Sequence, residues 1–293
     1  MTLLNHHQAV GIIALSNGLS ENQRQTIEQL EVVLTNLGLE VKYPTSLFRT
    51  NSVYHATDQE RAQMLMDFYQ DNHIQAIFDV SGGDLANGVL PYLDYDLIHS
   101  HSKLFFGYSD LSVVLNAIYA KTNQPTYLYQ IRNLVGEKGL IQQQRFQETF
   151  LKGGNSLLEL NPVWIQGNHM SGEVIGGNIR CFLKLAGTSY MPDFNEKILL
   201  LESYSGDVAK MATYLNQYKQ LGVFDRINGI ILGYFTEMQE KKYQPDIVSL
   251  VRQIVDNDKL PIVKTEYIGH GADSRCAIIG EVLTLSNESE GNQ

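Results

Sequence analysis

Four short segments carry residue types suited to acyl-transfer chemistry, and each follows an apolar run. Gly107-Tyr108-Ser109-Asp110 comes after Lys103-Leu104-Phe105-Phe106 and opens the apolar-periodic stretch 111–119. A serine between a strand's C-terminal end and a helix's first turn has its hydroxyl exposed at a sharp bend. Helix amides there stabilise developing negative charge. The same position suits a helix cap, so Ser109 or Asp110 taken alone fits either role. A hydroxyl nucleophile at neutral pH needs a base within hydrogen-bond reach, and the base needs an orienting acceptor. Of eight histidines, His6 and His7 fall near the N-terminus and His99 and His101 flank a turn. His55, His73 and His169 have the polar or loop contexts of surface residues. His270 differs. It sits in Gly269-His270-Gly271-Ala272-Asp273, beyond the apolar run ending near Lys264, and flanking glycines let such a loop turn tightly or simply flex. Glu202 directly follows Lys197-Ile198-Leu199-Leu200-Leu201. A carboxylate ending a buried strand is costly to desolvate unless paired, and an imidazole is a fitting partner; the alternative is plain exposure at the next turn. Ser81-Gly82-Gly83-Asp84 completes the set, because adjacent glycines after a strand can aim N–H groups into a cavity as an oxyanion hole requires.

Competing chemistries find less footing. Neither Gly-x-Gly-x-x-Gly nor a Gly-x-x-x-x-Gly-Lys-Ser/Thr loop occurs, which weakens a phosphate-binding role for the glycine pair. No His-Glu-x-x-His or Cys/His cluster is present, so no metal or other cofactor is expected. Asp94, Asp96 and Asp110 could supply a glycosidase carboxylate pair, but sequence does not set their separation. A net charge of −10 with scattered Lys and Arg argues against a nucleic-acid partner. The apolar run 10–15 is too short to cross a bilayer and no charged segment leads into a long apolar one. Two distant cysteines, Cys181 and Cys276, suit a reducing compartment, so the expected setting is cytoplasmic, without a membrane partner.

The elements that must position these residues follow from periodicity. Strands are expected at 10–15, 39–43, 74–80 and 104–106, with helices at 21–37 and 58–70 between them. Strands separated by helices of this length imply right-handed crossovers and a parallel sheet covered on both faces, with ligands at the carboxyl ends. Both the Ser81-Gly82-Gly83 and Gly107-Tyr108-Ser109 segments fall at such ends. A glycine-punctuated stretch over 134–161 contains a helix expected at 142–152. From about residue 172 a second set begins, with strands at 173–175, 198–201, 229–232, 262–264 and 277–279 and helices through 185 and at 208–221 and 247–256. The expected architecture is α/β, with residues 1–135 as a Rossmann-like domain, 136–165 as a connecting segment and 166–293 as a second α/β domain.

Taken together, the segments resemble the LD-carboxypeptidase family of serine peptidases, which includes microcin C self-immunity peptidases. The resemblance runs from about Val10 to Leu285. It is densest at Gly82-Gly83-Asp84-Leu85-Ala86-Asn87, Leu90-Pro91-Tyr92-Leu93-Asp94-Tyr95-Asp96 and Gly107-Tyr108-Ser109-Asp110. It continues at Gly176-Gly177-Asn178, Gly187-Thr188, Ile198 through Glu202 and Gly269-His270-Gly271. It implies Ser109 as nucleophile, His270 as general base and Glu202 as orienting acid. The oxyanion hole would use backbone amides of Gly82, Gly83 and Asp110. It also implies an active site between two domains, Ser109 from the first and the other two from the second, in a homodimer.

The implied reaction releases D-alanine from meso-diaminopimelate or L-lysine in murein tetrapeptides, with cleavage of peptidyl-nucleotide or aminoacyl-nucleotide antibiotics as the alternative substrate class. A two-domain small-ligand binding protein, with Ser109 as a mere cap, is the alternative of another kind. Departures from the family pattern bear on the pocket. Where many members carry His-Gly-Pro, this chain reads Tyr127-Leu128-Tyr129-Gln130-Ile131-Arg132, and Ser203 replaces a frequent Asp after Glu202. The first strand ends Ala14-Leu15-Ser16-Asn17 without the usual proline-serine turn. Asp84, Trp164 and Arg132 are substrate-contact candidates. Trp164 would either stack on a nucleotide-like ligand or pack at a strand edge. Arg132, Arg180 and Arg275 would each meet a substrate carboxylate or sit in a surface ion pair.

Overall fold

A computed structural model describes residues 2–287 and contains two six-stranded sheets. In chain order, β1 (Ala9–Ile13) leads through a 3-10 turn into α1 (Arg24–Asn36), which Gly38 ends in a left-handed conformation before β2 (Glu40–Lys42). Next come α2 (Asp58–Gln70), β3 (Ile74–Asp79), α3 (Tyr95–Ser100), β4 (Leu104–Gly107), α4 (Ser112–Thr122) and β5 (Thr126–Leu128). All five strands are parallel, because a helical or turn crossover separates each pair. Every residue of β1 is buried, as expected for a strand covered on both faces. The start of α2 is set by a capping box, in which Thr57 Oγ1 accepts from the Glu60 amide and Glu60 reaches back to the Thr57 amide.

The link between the halves is α5 (Gly139–Phe146), which widens into a π-helical turn over Gln147–Leu151. The second sheet then forms from β6 (Val163–Gln166), β7 (His169–Asn178), β8 (Ile198–Ser203), β9 (Gly229–Phe235) and β10 (Ile262–Lys264). Its helices are α6 (Ile179–Phe182), α7 (Val208–Gln220), α8 (Thr236–Glu240) and α9 (Ile247–Val255). Strands β7 to β10 run parallel, while β6 pairs antiparallel with β10 at one edge and β12 (Val282–Ser286) pairs antiparallel with β7 at the other.

The strand β11 (Ala277–Ile279) departs from the expected partition. It pairs antiparallel with β5 at the edge of the first sheet rather than joining the second. The segment between β10 and β11 therefore crosses from one sheet to the other, and His270 lies on that crossing. Three short strands, β5, β6 and β12, lie outside the strand spans expected from periodicity; three to five residues are too few to show a period. The two sheets share one apolar core, in which Leu111, Val114 and Ile118 meet Ile175, Phe182 and Leu185. A second cluster fills the other face of the first sheet beneath α1 and α5.

Helix α4 is buried along most of its length and docks on the glycine pair of β7. Asn116 Nδ2 donates to the Gly176 carbonyl at 2.7 Å, and the Gly176 amide returns a bond to Asn116 Oδ1 at 2.9 Å. Gly177 has φ +127°, and a Cβ there would fall 2.5 Å from Ser112 Oγ. Only glycine fits this close approach, which brings the helix that begins just after Ser109 against the C-terminal end of the second sheet.

Candidate active site

Ser109 stands immediately beyond β4, on a left-handed backbone with φ +55° that a non-glycine residue adopts only under constraint. The chain leaves the sheet at this bend, and the 3-10 turn Ser109–Leu111 leads into α4. Glu202 is on β8, wholly buried, and enters from the second sheet. His270 comes from the crossing between the sheets. Its Nδ1 is 2.8 Å from Glu202 Oε2 and its Nε2 is 3.2 Å from Ser109 Oγ. The other Glu202 oxygen accepts from Asn178 Nδ2 at 3.0 Å. With a carboxylate on Nδ1, that nitrogen carries the proton of a neutral imidazole and Nε2 is left to accept from the serine. The structure thus joins Ser109, His270 and Glu202 in one hydrogen-bonded chain, and Asn178 extends it.

The His270 loop is held on both flanks. Gly269 has φ +145° and packs on Tyr234, and Gln142 of α5 donates to the Ala272 and Ser274 carbonyls at 3.0 Å each. Arg145 pairs with Asp273. The imidazole itself lies between two rings, Tyr108 at 4.4 Å and Tyr204 at 4.8 Å between centroids.

Gly82 and Gly83 form the turn after β3. Among the described residues neither amide donates a hydrogen bond. Gly83 has φ +131°, and Asn17 braces the turn by donating its amide to the Gly82 carbonyl and accepting from the Asp84 amide at 3.1 Å. Beneath it, Asp79 accepts from the Leu15 amide at 2.7 Å and from the Ser81 amide and hydroxyl at 2.7 and 2.6 Å. Burial nonetheless pushes the Asp79 carboxyl up to about 6, against the pull of those bonds and of Arg132. Asp110, the residue after Ser109, is wholly buried and accepts from Ser16 Oγ at 2.7 Å, the Ala86 amide at 2.9 Å and Lys184 Nζ at 2.5 Å.

The substrate-contact candidates fall in three different places. Asp84 is held by Arg180 and approached by Lys184, so its carboxylate ties the first sheet's loop to the segment after β7, and the Arg180 bond holds it below the usual carboxylate range. Trp164 is on the edge strand β6, three strands from β8 and so about 14 Å from it across the sheet. It packs on the shared core there. Arg132 lies in the 3-10 turn Ile131–Val135 after β5, within electrostatic range of Tyr108, the residue before Ser109. Asn178, Lys184 and the buried Arg61 also belong to the site's framework, and no local pattern in the sequence marks Lys184 or Arg61. Asn178 had a signal, the Gly176-Gly177-Asn178 motif. His55 is a correction: it is buried rather than on the surface, its Nε2 meeting the Ala14 carbonyl at 2.8 Å and its Nδ1 Ser46 Oγ at 2.9 Å, and burial lowers its pKa.

Among the described residues no group of three or more His, Cys, Asp or Glu side chains could hold a metal ion, and no helix is long and apolar enough to cross a membrane. Two family models match the chain in order, the LD-carboxypeptidase N-terminal domain over residues 10–129 and the LD-carboxypeptidase C-terminal domain over 171–285. A probable murein peptide carboxypeptidase of Bacillus subtilis (strain 168) is 25% identical over 297 residues, 97% of this chain and 90% of its own. The microcin C7 self-immunity protein MccF of Escherichia coli is 26% identical, covering 73% of this chain and 72% of its own. The crystal structure of an MccF-like protein from Bacillus anthracis str. Ames superposes with a TM-score of 0.85 at 27% identity, over 99% of this chain and 96% of that one. With both halves matched in sequence order and the same two-domain α/β fold, this chain belongs to the LD-carboxypeptidase family and is a carboxypeptidase of the serine type.

Proposed function

We propose that the protein hydrolyses the L,D-peptide bond to the terminal D-alanine of murein-derived tetrapeptides, through an acyl-enzyme on Ser109. The observation that carries this reading is the unbroken chain from Ser109 Oγ through His270 to Glu202 at the point where both sheets end. His270 Nε2 takes the serine proton as Oγ attacks the scissile carbonyl carbon, and the carbonyl π-electrons move onto oxygen. The amides of Gly82, Gly83 and Asp110 receive that oxyanion; one such donor is typically worth about 3 kcal/mol of barrier. Collapse of the intermediate expels the amine of D-alanine, which leaves with the proton from His270. Water then attacks the acyl carbon, passing its proton to His270, and Ser109 regains its proton as the acid departs. Glu202 keeps the imidazole in the required tautomer and offsets the imidazolium charge.

Similarity to the murein peptide carboxypeptidase over nearly the whole chain favours a wall-peptide substrate. Similarity to MccF supports a second reading, in which the same attack cleaves a peptidyl- or aminoacyl-nucleotide amide. Purified protein incubated with L-Ala-γ-D-Glu-meso-diaminopimelate-D-Ala, and separately with a peptidyl-nucleotide, decides between them by the masses of the products. Release of D-alanine is expected, and Ser109→Ala abolishes it. Turnover of the nucleotide alone would overturn the wall-peptide assignment, and persistent turnover by Ser109→Ala would remove the nucleophile.

A further inference from the structure

Removing a C-terminal residue requires that the substrate's terminal carboxylate be received somewhere. With a one-residue leaving group, that carboxylate carbon stands three covalent bonds from the scissile carbon, about 3–4 Å away. The receiving cation must therefore border Ser109. Arg180 is engaged by Asp84, and Arg275 donates to the Ser156 and Glu159 carbonyls on the far flank of the crossing. Arg132 is engaged by no acid: among the described residues no carboxylate oxygen lies within 4.0 Å of it, and its Nε makes only a 3.3 Å bond to Gln130 Oε1 in its own turn.

Strand pairing puts that turn next to the nucleophile. Leu128 of β5 is in register with Gly107 of β4, and the Tyr129 amide donates to the Gly107 carbonyl at 2.9 Å. The chain then enters the 3-10 turn Ile131–Val135 alongside Tyr108 and Ser109. Tyr108 contributes a second unused donor. Its ring lies on His270, and its buried hydroxyl has no hydrogen-bond partner among the described residues. Such a group is costly to leave unpaired. The guanidinium is within electrostatic range of that hydroxyl and of Asp79, and its own burial disfavours its charge, which an incoming anion would offset. Asp79 does not compete for close contact, since its oxygens are taken by Leu15 and Ser81.

We propose that the Arg132 guanidinium and the Tyr108 hydroxyl form a carboxylate-binding subsite beside Ser109 that receives the C-terminus of the peptide. It rests on the hydrolase reading only for which carboxylate is bound, and it assigns the departure from the family's His-Gly-Pro stretch a role in specificity.

Binding and turnover separate the two claims. Calorimetry on Ser109→Ala protein with L-Ala-γ-D-Glu-L-Lys-D-Ala and with its C-terminal amide measures the subsite alone. The free acid binds about 10- to 100-fold more tightly than the amide, the range expected for hydrogen bonds to a charged group. Ser109→Ala/Arg132→Gln binds the two alike, and Ser109→Ala/Tyr108→Phe, which keeps the ring on His270, loses part of the preference. Equal binding of acid and amide by Ser109→Ala overturns the subsite, as does a preference that survives the loss of Arg132. If the Arg132 variant does not fold, an unchanged preference in the Tyr108→Phe protein overturns the two-donor arrangement. A protein that discriminates acid from amide while the unaltered enzyme releases no D-alanine keeps the subsite and loses the proposed reaction.

Discussion

The two sheet ends that meet at Ser109 are held by opposite means. The first sheet's end is built on buried charge: Asp79, Asp110 and Arg61 are all but inaccessible, and each bonds to loop backbone. Arg61 alone donates to carbonyls of Leu15, Ser16 and Leu85, tying the segment after β1 to the segment after the Gly82-Gly83 turn. The second sheet's end buries the Glu202 carboxylate and otherwise relies on glycine turns and rings. Gly233 accommodates the Ile268 carbonyl, Gly269 packs on Tyr234, and His270 lies between two tyrosines. The contrast follows from the two tasks. Amides that stabilise an oxyanion work best when they need no reorganisation, and charge-anchored loops supply that rigidity. An imidazole that gains and loses a proton must stay reachable, and the His270 side chain remains 13% exposed. Lys184 and Arg180 then fasten the halves together by gripping Asp110 and Asp84.

The largest effect is expected on the second sheet's side. Glu202→Gln keeps the shape but presents an amide where Nδ1–H needs an acceptor, so kcat should fall about 10⁴-fold with KM nearly unchanged, as read from D-alanine release. A loss below tenfold would mean that Asn178 and the two rings orient the imidazole unaided. On the first sheet's side the consequence should be stability. Arg61→Met leaves three loop carbonyls without their donor, and removing one member of a buried charged network typically costs about 3–5 kcal/mol in denaturant unfolding. Melting unchanged from the parent protein would show that the charge-anchored half does not depend on its anchors.

Asp79 tests the same half by pH. Its folded carboxyl is pushed up to about 6 from an ordinary 3.8, so between those values the native state holds the proton more tightly than the unfolded chain. The sign follows: this group's contribution is fully present below the unfolded value and is lost as pH rises through about 6, a change of about 3 kcal/mol. Asp79→Asn removes that slope. Unfolding free energies of the variant and parent should therefore diverge in the variant's favour from pH 4 to pH 7. Parallel curves would place Asp79 in a more polar setting than its burial implies.

What could be read from the sequence was whatever is decided within a dozen residues. The span of α2 follows from its Thr57/Glu60 cap and apolar spacing, β1 from an uninterrupted apolar run, and β3 from one broken only by Gln75 before Asp79 ends it. Ser109, Glu202 and His270 each stood out because each follows such a run. Their meeting depends on a long-range event, the return of β11 to the first sheet. Ala277-Ile278-Ile279 could pair with any open edge, so nothing local announces that return. The burial of His55 is hidden for a related reason: its local context reads as polar loop, while the groups that bury it, Ala14 and Ser46, come from other parts of the chain. Arg61 and Lys184 look like ordinary helix-surface charges until the loops they bind are folded around them.

Two adjacent glycines allow the finest test of the rigid half. Gly83 has φ +131°, and a Cβ there would lie 2.2 Å from the Asn17 side chain that braces the turn. Gly83→Ala must therefore strain the backbone and displace Asn17, which frees the Asp84 amide as well. A cost of about 1–3 kcal/mol in stability is expected, with kcat lowered because the turn no longer holds its amides in one place. A Cβ on Gly82 meets nothing within 4 Å. Gly82→Ala should leave melting within about 0.5 kcal/mol of the parent, since it disturbs no packing. If that methyl group projects toward the substrate, KM rises while the fold is untouched. Opposite behaviour of the two neighbours in melting and kinetics is what a turn braced on one side and open on the other requires. Equal destabilisation would mean that the open side is not open.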